Sequence, residues 1–248
     1  MRIAAAVGAL ALLAGCASKQ PEPAKPTAPT YYRTPAAEAA SLAGVAIYKG
    51  PAVKPKRISM DAEAQCQAMH PEAVLDQAVR RAKGGAFANV FVYVKAGLEG
   101  KKFEPPTATV VIEQKGCQFA PRVVGIRTAQ VLTVKNLDPV SHNIHPMPKN
   151  NRDWNHQQPP GAEDLKRKFA FPEIMIPVKC NVHAWMKSYI GVLDHPFFAV
   201  TGDDGRFAFD GLPAGKYTIA AWHEQFGELT QEIVIRPGAN GPVSFTFR

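Results

Sequence analysis

Two short segments carry the residues of this sequence whose types and spacing could do chemistry. The first runs from Asn136 to His145 and contains His142, and the second runs from Cys180 to Met186 and contains His183. Thiolate, imidazole and thioether are soft and borderline donors that suit copper, whereas calcium and magnesium take oxygen ligands. The two segments together predict a copper site.

The strand that leads into the second segment directs its cysteine toward the core. Aliphatic side chains alternate over positions 174–178, and Cys180 continues the same face of this predicted strand. A loop then begins, and within seven residues it brings His183 and Met186 around to the same point. We therefore expect the thiol, the imidazole and the thioether to converge at the end of a strand.

A trigonal site needs a second imidazole, and the first segment offers two. His142 and Ile144 share one face of a predicted strand, whereas Asn143 and His145 share the other face. This parity predicts that His142 is the inward ligand and that His145 faces outward. The alternative is a buried cysteine among loop residues that bind no metal.

The order Asn-x5-His-Asn followed by Cys-x2-His-x2-Met resembles the cupredoxins, the type 1 blue copper proteins, over about residues 106–195. The loop spacing is most similar to that of amicyanin. The resemblance implies a Greek-key β-sandwich that holds one type 1 copper ion. It implies His142, Cys180 and His183 as equatorial ligands and Met186 as a weak axial ligand.

The same resemblance assigns roles to residues around the metal. It implies that Asn143 helps tie the two ligand loops together, and that the outer edge of His183 reaches the surface as the port for electrons. The candidates for an apolar ring around this port are Pro146, Met147, Ala184 and Trp185.

The function implied by the resemblance is the transfer of single electrons between periplasmic redox proteins, such as c-type cytochromes or a dehydrogenase. Two alternatives use the same residues: copper sequestration or delivery, and a cell-envelope binding module with a structural copper. No Ser/His/Asp arrangement, phosphate-binding glycine loop or carboxylate pair stands at a meaningful spacing, so we do not expect an enzyme. The net charge is +8, but the cations are scattered, and we expect no nucleic-acid partner.

The start of the chain predicts its compartment. A basic residue, an apolar run over 3–13 and the tetrad Leu-Ala-Gly-Cys that ends in Cys16 resemble a bacterial lipoprotein signal. Residues 1–15 would then be the signal peptide, and Cys16 would carry the lipid. Ala17 follows, so the rule that Asp at this place retains a lipoprotein in the inner membrane does not apply. The resemblance implies a lipid anchor in the outer membrane that faces the periplasm, and an ordinary secretory signal is the alternative.

Residues 16–40 contain five prolines and predict an extended tether between this anchor and the folded part.

Four cysteines are present, and roles are already predicted for Cys16 and Cys180. If Cys16 carries lipid and Cys180 binds metal, Cys66 and Cys117 remain as candidates for one disulfide in an oxidising compartment. The alternative is that Cys66 and His70, four positions later, form half of a second metal site.

The composition indicates an all-β protein of one or two domains. Hydrophobic residues make up 46% and charged residues 20% of 248, which excludes wholesale disorder. The 22 prolines and 19 glycines suit short strands joined by turns. One short helix is predicted over 71–83, where apolar residues have helical spacing between a proline and two glycines.

A second β-sandwich is predicted around the first. After Pro196, five strands and the run Thr-x-Asp-Asp-Gly-x-Phe-x-Phe resemble the carboxypeptidase-regulatory-like, or transthyretin-like, sandwich. We expect residues 41–105 to join 196–248 in this split sandwich, with the cupredoxin part, 106–195, inserted between them. The whole mature chain then resembles the plastocyanin-like lipoproteins labelled methylamine utilization proteins.

Two features of this tail stay open. The tail could instead simply extend the cupredoxin. His223 and Glu224 end one of its strands, and they are interpreted as a structural pair or as a polar site for a partner.

Overall fold

The computed structural model describes residues 30–248. Residues 1–29 lie outside the described part, and with them the predicted signal peptide, the lipidation site Cys16 and most of the predicted tether. Residues Tyr31–Arg248 form one compact unit. Within the described part, no helix is both long and apolar enough to cross a membrane. Nearly all regular structure is β, and the predicted all-β class is confirmed.

The described chain forms sixteen strands, one short helix and one 3₁₀ turn. In chain order the strands are β1 (Ala39–Tyr48), β2 (Phe91–Ala96), β3 (Val110–Gln114), β4 (Phe119–Ala120), β5 (Val123–Arg127), β6 (Leu132–Asn136), β7 (His142–Pro146), β8 (His156–Gln158), β9 (Leu165–Arg167), β10 (Glu173–Lys179), β11 (Lys187–Leu193), β12 (Phe198–Val200), β13 (Arg206–Pro213), β14 (Gly215–His223), β15 (Gly227–Ile235) and β16 (Gly238–Phe247). The helix is α1 (Ala64–Ala68), and the 3₁₀ turn is Lys83–Gly85.

The two ends of the described chain share two sheets, which we call the outer sandwich. Their strand orders are β13-β1-β16 and β12-β2-β14-β15. Strand β1 pairs antiparallel with β13 and parallel with β16, while β2 pairs antiparallel with β12 and β14. Alternating aromatic and aliphatic side chains, such as Phe207, Phe209 and Ile219, fill the core between them. The boundaries of the predicted domains stay a prediction.

The middle of the chain forms two further sheets, which we call the central sandwich. Their orders are β5-β11-β10-β7-β8 and β4-β3-β6-β9. A second core lies between them, and it includes Ile112, Ile144 and Ile190 together with Cys180 and Met186. Strands β7 and β10 are antiparallel neighbours, with His145 opposite Lys179. This pairing brings the two chemistry-bearing segments of the sequence side by side.

A pair of glycines lets the two sandwiches meet. Gly125 on β5 and Gly191 on β11 are cross-strand partners. A Cβ atom on Gly125 would lie 2.3 Å from the ring of Phe198, and one on Gly191 would lie 2.5 Å from the ring of Phe91. The aromatic rings of the outer sandwich therefore rest on bare backbone of the central one.

The predicted helix over 71–83 is wrong. The chain there is irregular, and it pairs with the segment before it: Ile58 N–H donates to Val74 O, and Asp76 N–H donates to Lys56 O, both at 2.8 Å. The helix forms earlier, at Ala64–Ala68, where Cys66 is drawn into the central core. Tertiary contacts have overridden a weak local propensity.

The predicted tether ends before residue 40. Tyr32 N–H donates to Lys102 O at 2.6 Å, and the Tyr32 ring packs edge-on against Phe103 with centroids 5.7 Å apart. Strand β1 already begins at Ala39. Residues from Tyr31 onward therefore belong to the folded unit.

Candidate metal centre

Three side chains from the two chemistry-bearing segments meet inside the central sandwich. One ligand atom from each of His142, Cys180 and His183 lies within 4.8 Å of the other two. Nδ1 of His142 is 2.9 Å from Nδ1 of His183, and Sγ of Cys180 is 3.8 Å from the same His183 atom. The structure thus brings together the three predicted equatorial ligands.

The strands explain why these side chains converge. His142 is the first residue of β7, and Cys180 immediately follows the neighbouring strand β10. The period of two turns His142 and Ile144 into the core, while His145 is only partly buried and pairs with Asp153 at 3.2 Å. His145 is therefore not part of the donor cluster.

The donors are closed off from solvent. The exposed fractions are 0% for His142, 2% for Cys180, 2% for His183 and 1% for Met186. A buried, preformed cluster with fixed neighbours holds its geometry better than a set of loop side chains in water.

Met186 closes the loop that follows Cys180. Its N–H donates to His183 O at 2.9 Å, and its carbonyl accepts from Cys180 N–H at 3.3 Å. The side chain is buried in the same core cluster as Cys180. The predicted axial ligand therefore sits within the compact turn that also carries His183.

Two backbone groups point at the cysteine sulfur. Asn143 N–H lies 3.5 Å and His183 N–H lies 3.3 Å from Sγ of Cys180. Burial alone would raise the pKa of Cys180, but His142 and these N–H groups outweigh it, and the net pKa is lowered. The site therefore favours the thiolate, the form of cysteine that binds metals.

Asn143 joins the two ligand segments. Its Oδ1 accepts from Asn181 N–H at 2.5 Å and lies 3.2 Å from the Cys180 sulfur. Its Nδ2 donates to Asn155 Oδ1 at 2.5 Å, which fixes the amide orientation. These contacts make Asn143 a link between β7 and the loop after β10.

The outer nitrogen of His142 meets a carboxylate. Nε2 is 2.8 Å from Oδ2 of Asp138, which is itself buried. A carboxylate only accepts hydrogen bonds, so Nε2 carries the proton and Nδ1 is left facing the donor cluster. Burial by itself would lower the pKa of His142, but Cys180 and Asp138 raise it above its usual value.

The outer nitrogen of His183 is covered as well. Nε2 lies 3.8 Å from Sγ of Cys66 and 3.9 Å from Oε2 of Glu63. Burial, followed by the neighbouring His142, lowers the pKa of His183. The expectation that the His183 edge reaches the surface is wrong, because the segment that carries α1 lies against it.

The four residues predicted to form an apolar ring around the port differ in their exposure. Met147 and Ala184 are exposed, whereas Pro146 is buried. Trp185 is half-buried, and its Nε1–H donates to Cys117 O at 2.9 Å. Val182, which sequence reasoning did not include, is 57% exposed between the two donors of the loop.

Cys66 and Cys117 are joined by a disulfide. A second metal site at Cys66 and His70 is therefore not formed, and His70 instead contacts Gly116 O at 2.8 Å. Sequence reasoning did not place this disulfide beside His183, because 117 residues separate Cys66 from that ligand. Asp138 was also missed, although its position four residues before His142 was a usable signal.

The donor set suits a soft or borderline metal ion. Metal–nitrogen bonds of about 2.0 Å and metal–sulfur bonds of about 2.3 Å separate trigonal donors by roughly 3.5 to 3.7 Å. The observed 3.8 Å from sulfur to nitrogen fits this spacing, and the two imidazoles at 2.9 Å need to part by less than about 1 Å. One thiolate with two imidazoles is a donor set of copper and zinc sites.

Comparisons with known proteins give structural neighbours only. No family model matches the chain, and no curated protein matches it. Similar solved structures include a Cu-containing nitrite reductase from Thermus scotoductus SA-01 (19% identity, 41% of this chain and 25% of that chain, TM-score 0.33). They also include a purple cupredoxin from Nitrosopumilus maritimus (19%, 34% and 98%, 0.29) and a methionine-to-alanine mutant of amicyanin as Cu(I) (12%, 41% and 97%, 0.31). The chain thus spans about a quarter of the nitrite reductase, and TM-scores near 0.3 add nothing to the geometry above.

Proposed function

We propose that His142, Cys180 and His183 hold one copper ion, with Met186 as a weak fourth ligand, and that the protein carries single electrons as a type 1, cupredoxin-like copper protein. The observation that carries the proposal is the buried cluster of two imidazole nitrogens and one sulfur within 4.8 Å. Copper in such a ligand set gains and loses one electron.

The residues around the cluster stabilise the thiolate and hold the ligands in place. Asn143 and the backbone N–H of His183 hydrogen-bond the sulfur and hold it as a thiolate. The antiparallel pair of β7 and β10 fixes His142 relative to Cys180, so little protein rearranges when the charge of the site changes. A small rearrangement is what fast electron transfer requires.

We further propose that the protein is not an enzyme. All four proposed ligands are buried, and the outer sides of the two imidazoles are covered by Asp138 and by the Cys66–Cys117 disulfide. This arrangement supports electron exchange across a protein surface rather than binding of a substrate at the metal.

The surface that supports electron exchange is the face beside Cys180. A groove of about 430 Å³ there is lined by residues that include Met147, Cys180, Asn181 and Ala184. Two cations, Lys179 and Lys187, also line it, and no acidic residue of the described chain does. We propose that an acidic surface of a periplasmic redox protein, such as a c-type cytochrome or a dehydrogenase, docks on this face.

The disulfide supports the proposed compartment. Disulfides such as Cys66–Cys117 persist in oxidising compartments, including the bacterial periplasm. We propose that the protein faces the periplasm and is anchored by lipid on Cys16 to the outer membrane.

Optical and EPR spectra of the copper-loaded protein test the proposal. An intense visible band from sulfur-to-Cu(II) charge transfer, which disappears on reduction and returns on oxidation, is the expected result. His142→Ala should remove the band, while His145→Ala, on the opposite face of the same strand, should keep it. A wild-type protein that stays colourless with stoichiometric copper would contradict the proposal.

Kinetic measurements distinguish copper delivery from electron transfer as the function. The burial of all ligands predicts slow loss of Cu(I) to a chelator and faster oxidation by a cytochrome c. Rapid transfer of Cu(I) to an acceptor apoprotein, with no electron exchange on the same time scale, would favour delivery.

A further inference from the structure

The carboxylate of Asp138, which contacts Nε2 of His142, is held by the turn that connects β3 to β4. Gly116 N–H donates to Oδ1 of Asp138 at 2.6 Å, and Cys117 N–H donates to Oδ2 at 2.7 Å. Both residues adopt a left-handed backbone, with φ of 61° at Gly116 and 53° at Cys117. A cysteine rarely adopts this conformation, and two such residues in succession aim both N–H groups at one carboxylate.

The same turn reaches the other imidazole. The carbonyl of Cys117 accepts from Trp185 Nε1–H, and the Trp185 ring lies 5.1 Å from the ring of His183. Through its disulfide, Cys117 also places Cys66 Sγ 3.8 Å from Nε2 of His183. One residue thus connects to the outer side of both proposed ligands.

We propose that the Gly116–Cys117 turn, with Asp138 and the disulfide to Cys66, is an outer clamp that positions both imidazole ligands and tunes the metal. Asp138 sets the tautomer of His142, and the disulfide covers the outer nitrogen of His183. These are positioning residues, since they act through the ligands. The inference rests on the proposed function, because it concerns the same copper ion.

The charge of Asp138 gives the clamp an electronic effect. A buried anion beside His142 favours the oxidised, more positive state of the site and makes the imidazole a stronger donor. Removing this charge should weaken Cu(II) binding about 10- to 100-fold, the usual effect of losing such a partner. Each tenfold loss that affects Cu(II) but not Cu(I) corresponds to a rise of about 59 mV in the reduction potential.

The test compares Asp138→Asn with Asp153→Asn in the full chain. Asp153 contacts His145 at 3.2 Å, so it is a matched aspartate–histidine pair outside the cluster. Asp138→Asn should keep the visible band, lose Cu(II) affinity and raise the reduction potential, while Asp153→Asn should change neither quantity. Equal potentials and affinities for Asp138→Asn and the wild type would overturn the inference.

The disulfide arm has its own test. The double variant Cys66→Ser/Cys117→Ser should expose His183 and speed reduction of the bound Cu(II) by ascorbate, with a changed EPR spectrum. If this variant does not fold by circular dichroism, Cys66→Ala/Cys117→Ala, which leaves no hydroxyl group in this apolar core, replaces it with the same expected direction. Unchanged reduction rates and spectra in the folded variant would overturn the disulfide arm.

The two failures remain distinguishable. If the wild type shows no charge-transfer band, the proposed function fails. If the wild type shows the band and the Asp138 and disulfide variants leave its potential and kinetics unchanged, only the clamp fails.

Discussion

The imidazole rings of His142 and His183 cross at 69° with centroids 4.8 Å apart, and they present the same atom, Nδ1, to each other. Two facing nitrogens 2.9 Å apart are within hydrogen-bond distance, so one ring donates a proton to the other. Each ring therefore directs its other nitrogen outward, one to Asp138 and one to the disulfide. A metal ion that takes the place of that proton needs only a small separation of the rings.

Copper should stabilise the folded protein. A ligand that binds only the native state adds about 2.7 kcal/mol to the free energy of unfolding when its free concentration is about 100 times its Kd. Thermal unfolding of the wild type and of His145→Ala should shift to higher temperature with copper. His142→Ala should shift less, and an equal shift in all three proteins would show that copper binds elsewhere.

The buried ion pair between the sandwiches should matter for stability. Arg122 Nη2 donates to Glu224 Oε2 at 2.8 Å, and Arg122 also lies 3.3 Å from Asp76. Glu224→Gln removes the buried carboxylate and leaves the Arg122 guanidinium with Asp76 alone. We therefore expect a loss of about 3 kcal/mol in the free energy of unfolding. Urea denaturation measures it. Lys135→Gln, at an exposed pair with Asp164, is the control and should cost less than about 1 kcal/mol.

The glycine pair at the seam should not tolerate side chains. In Gly191→Val, the new Cβ meets the Phe91 ring and Met175, and overpacking of this kind costs about 1 to 3 kcal/mol. Gly202→Val is the control, because a Cβ atom there would come no closer than 3.8 Å to a neighbouring atom. A Gly191→Val protein with a wild-type denaturation midpoint would contradict this account of the seam.

Two buried histidines should make stability depend on pH. Burial lowers the pKa of His195 to about 4 and, with some help from Arg122, that of His223 to about 4. Near pH 5 the unfolded chain binds protons at these positions and the native chain does not, so stability falls as the pH drops below about 6.5. From about pH 7 to 5 the loss should be about 2 kcal/mol for each histidine.

Denaturation midpoints at the two pH values measure this effect. His223→Phe should weaken the dependence of stability on pH, because phenylalanine does not titrate. The new ring can still stack on Phe87, as the His223 ring does with centroids 4.3 Å apart. An unchanged slope in that variant would remove His223 from the explanation.

The sequence predicted the donor cluster well because strand parity is a short-range property. The alternation that turns His142 inward and His145 outward depends only on neighbouring residues, and so does the face that Cys180 shares with Ile176. The cover over His183 could not be predicted in this way. It depends on Cys66 and Glu63, more than a hundred residues before His183, and on the short helix at Ala64–Ala68, which the local sequence pattern did not predict.

The parallel pairing of β1 with β16 joins Ala40–Tyr48 to Gly238–Phe247, almost two hundred positions later. A nascent chain must therefore present β1 with one long edge unpaired until its final strand has emerged. The central sandwich has every one of its strands long before that moment. We expect an ordered assembly in which the central sandwich, which holds the donor cluster, folds first and the outer sandwich closes last, when β16 pairs with β1.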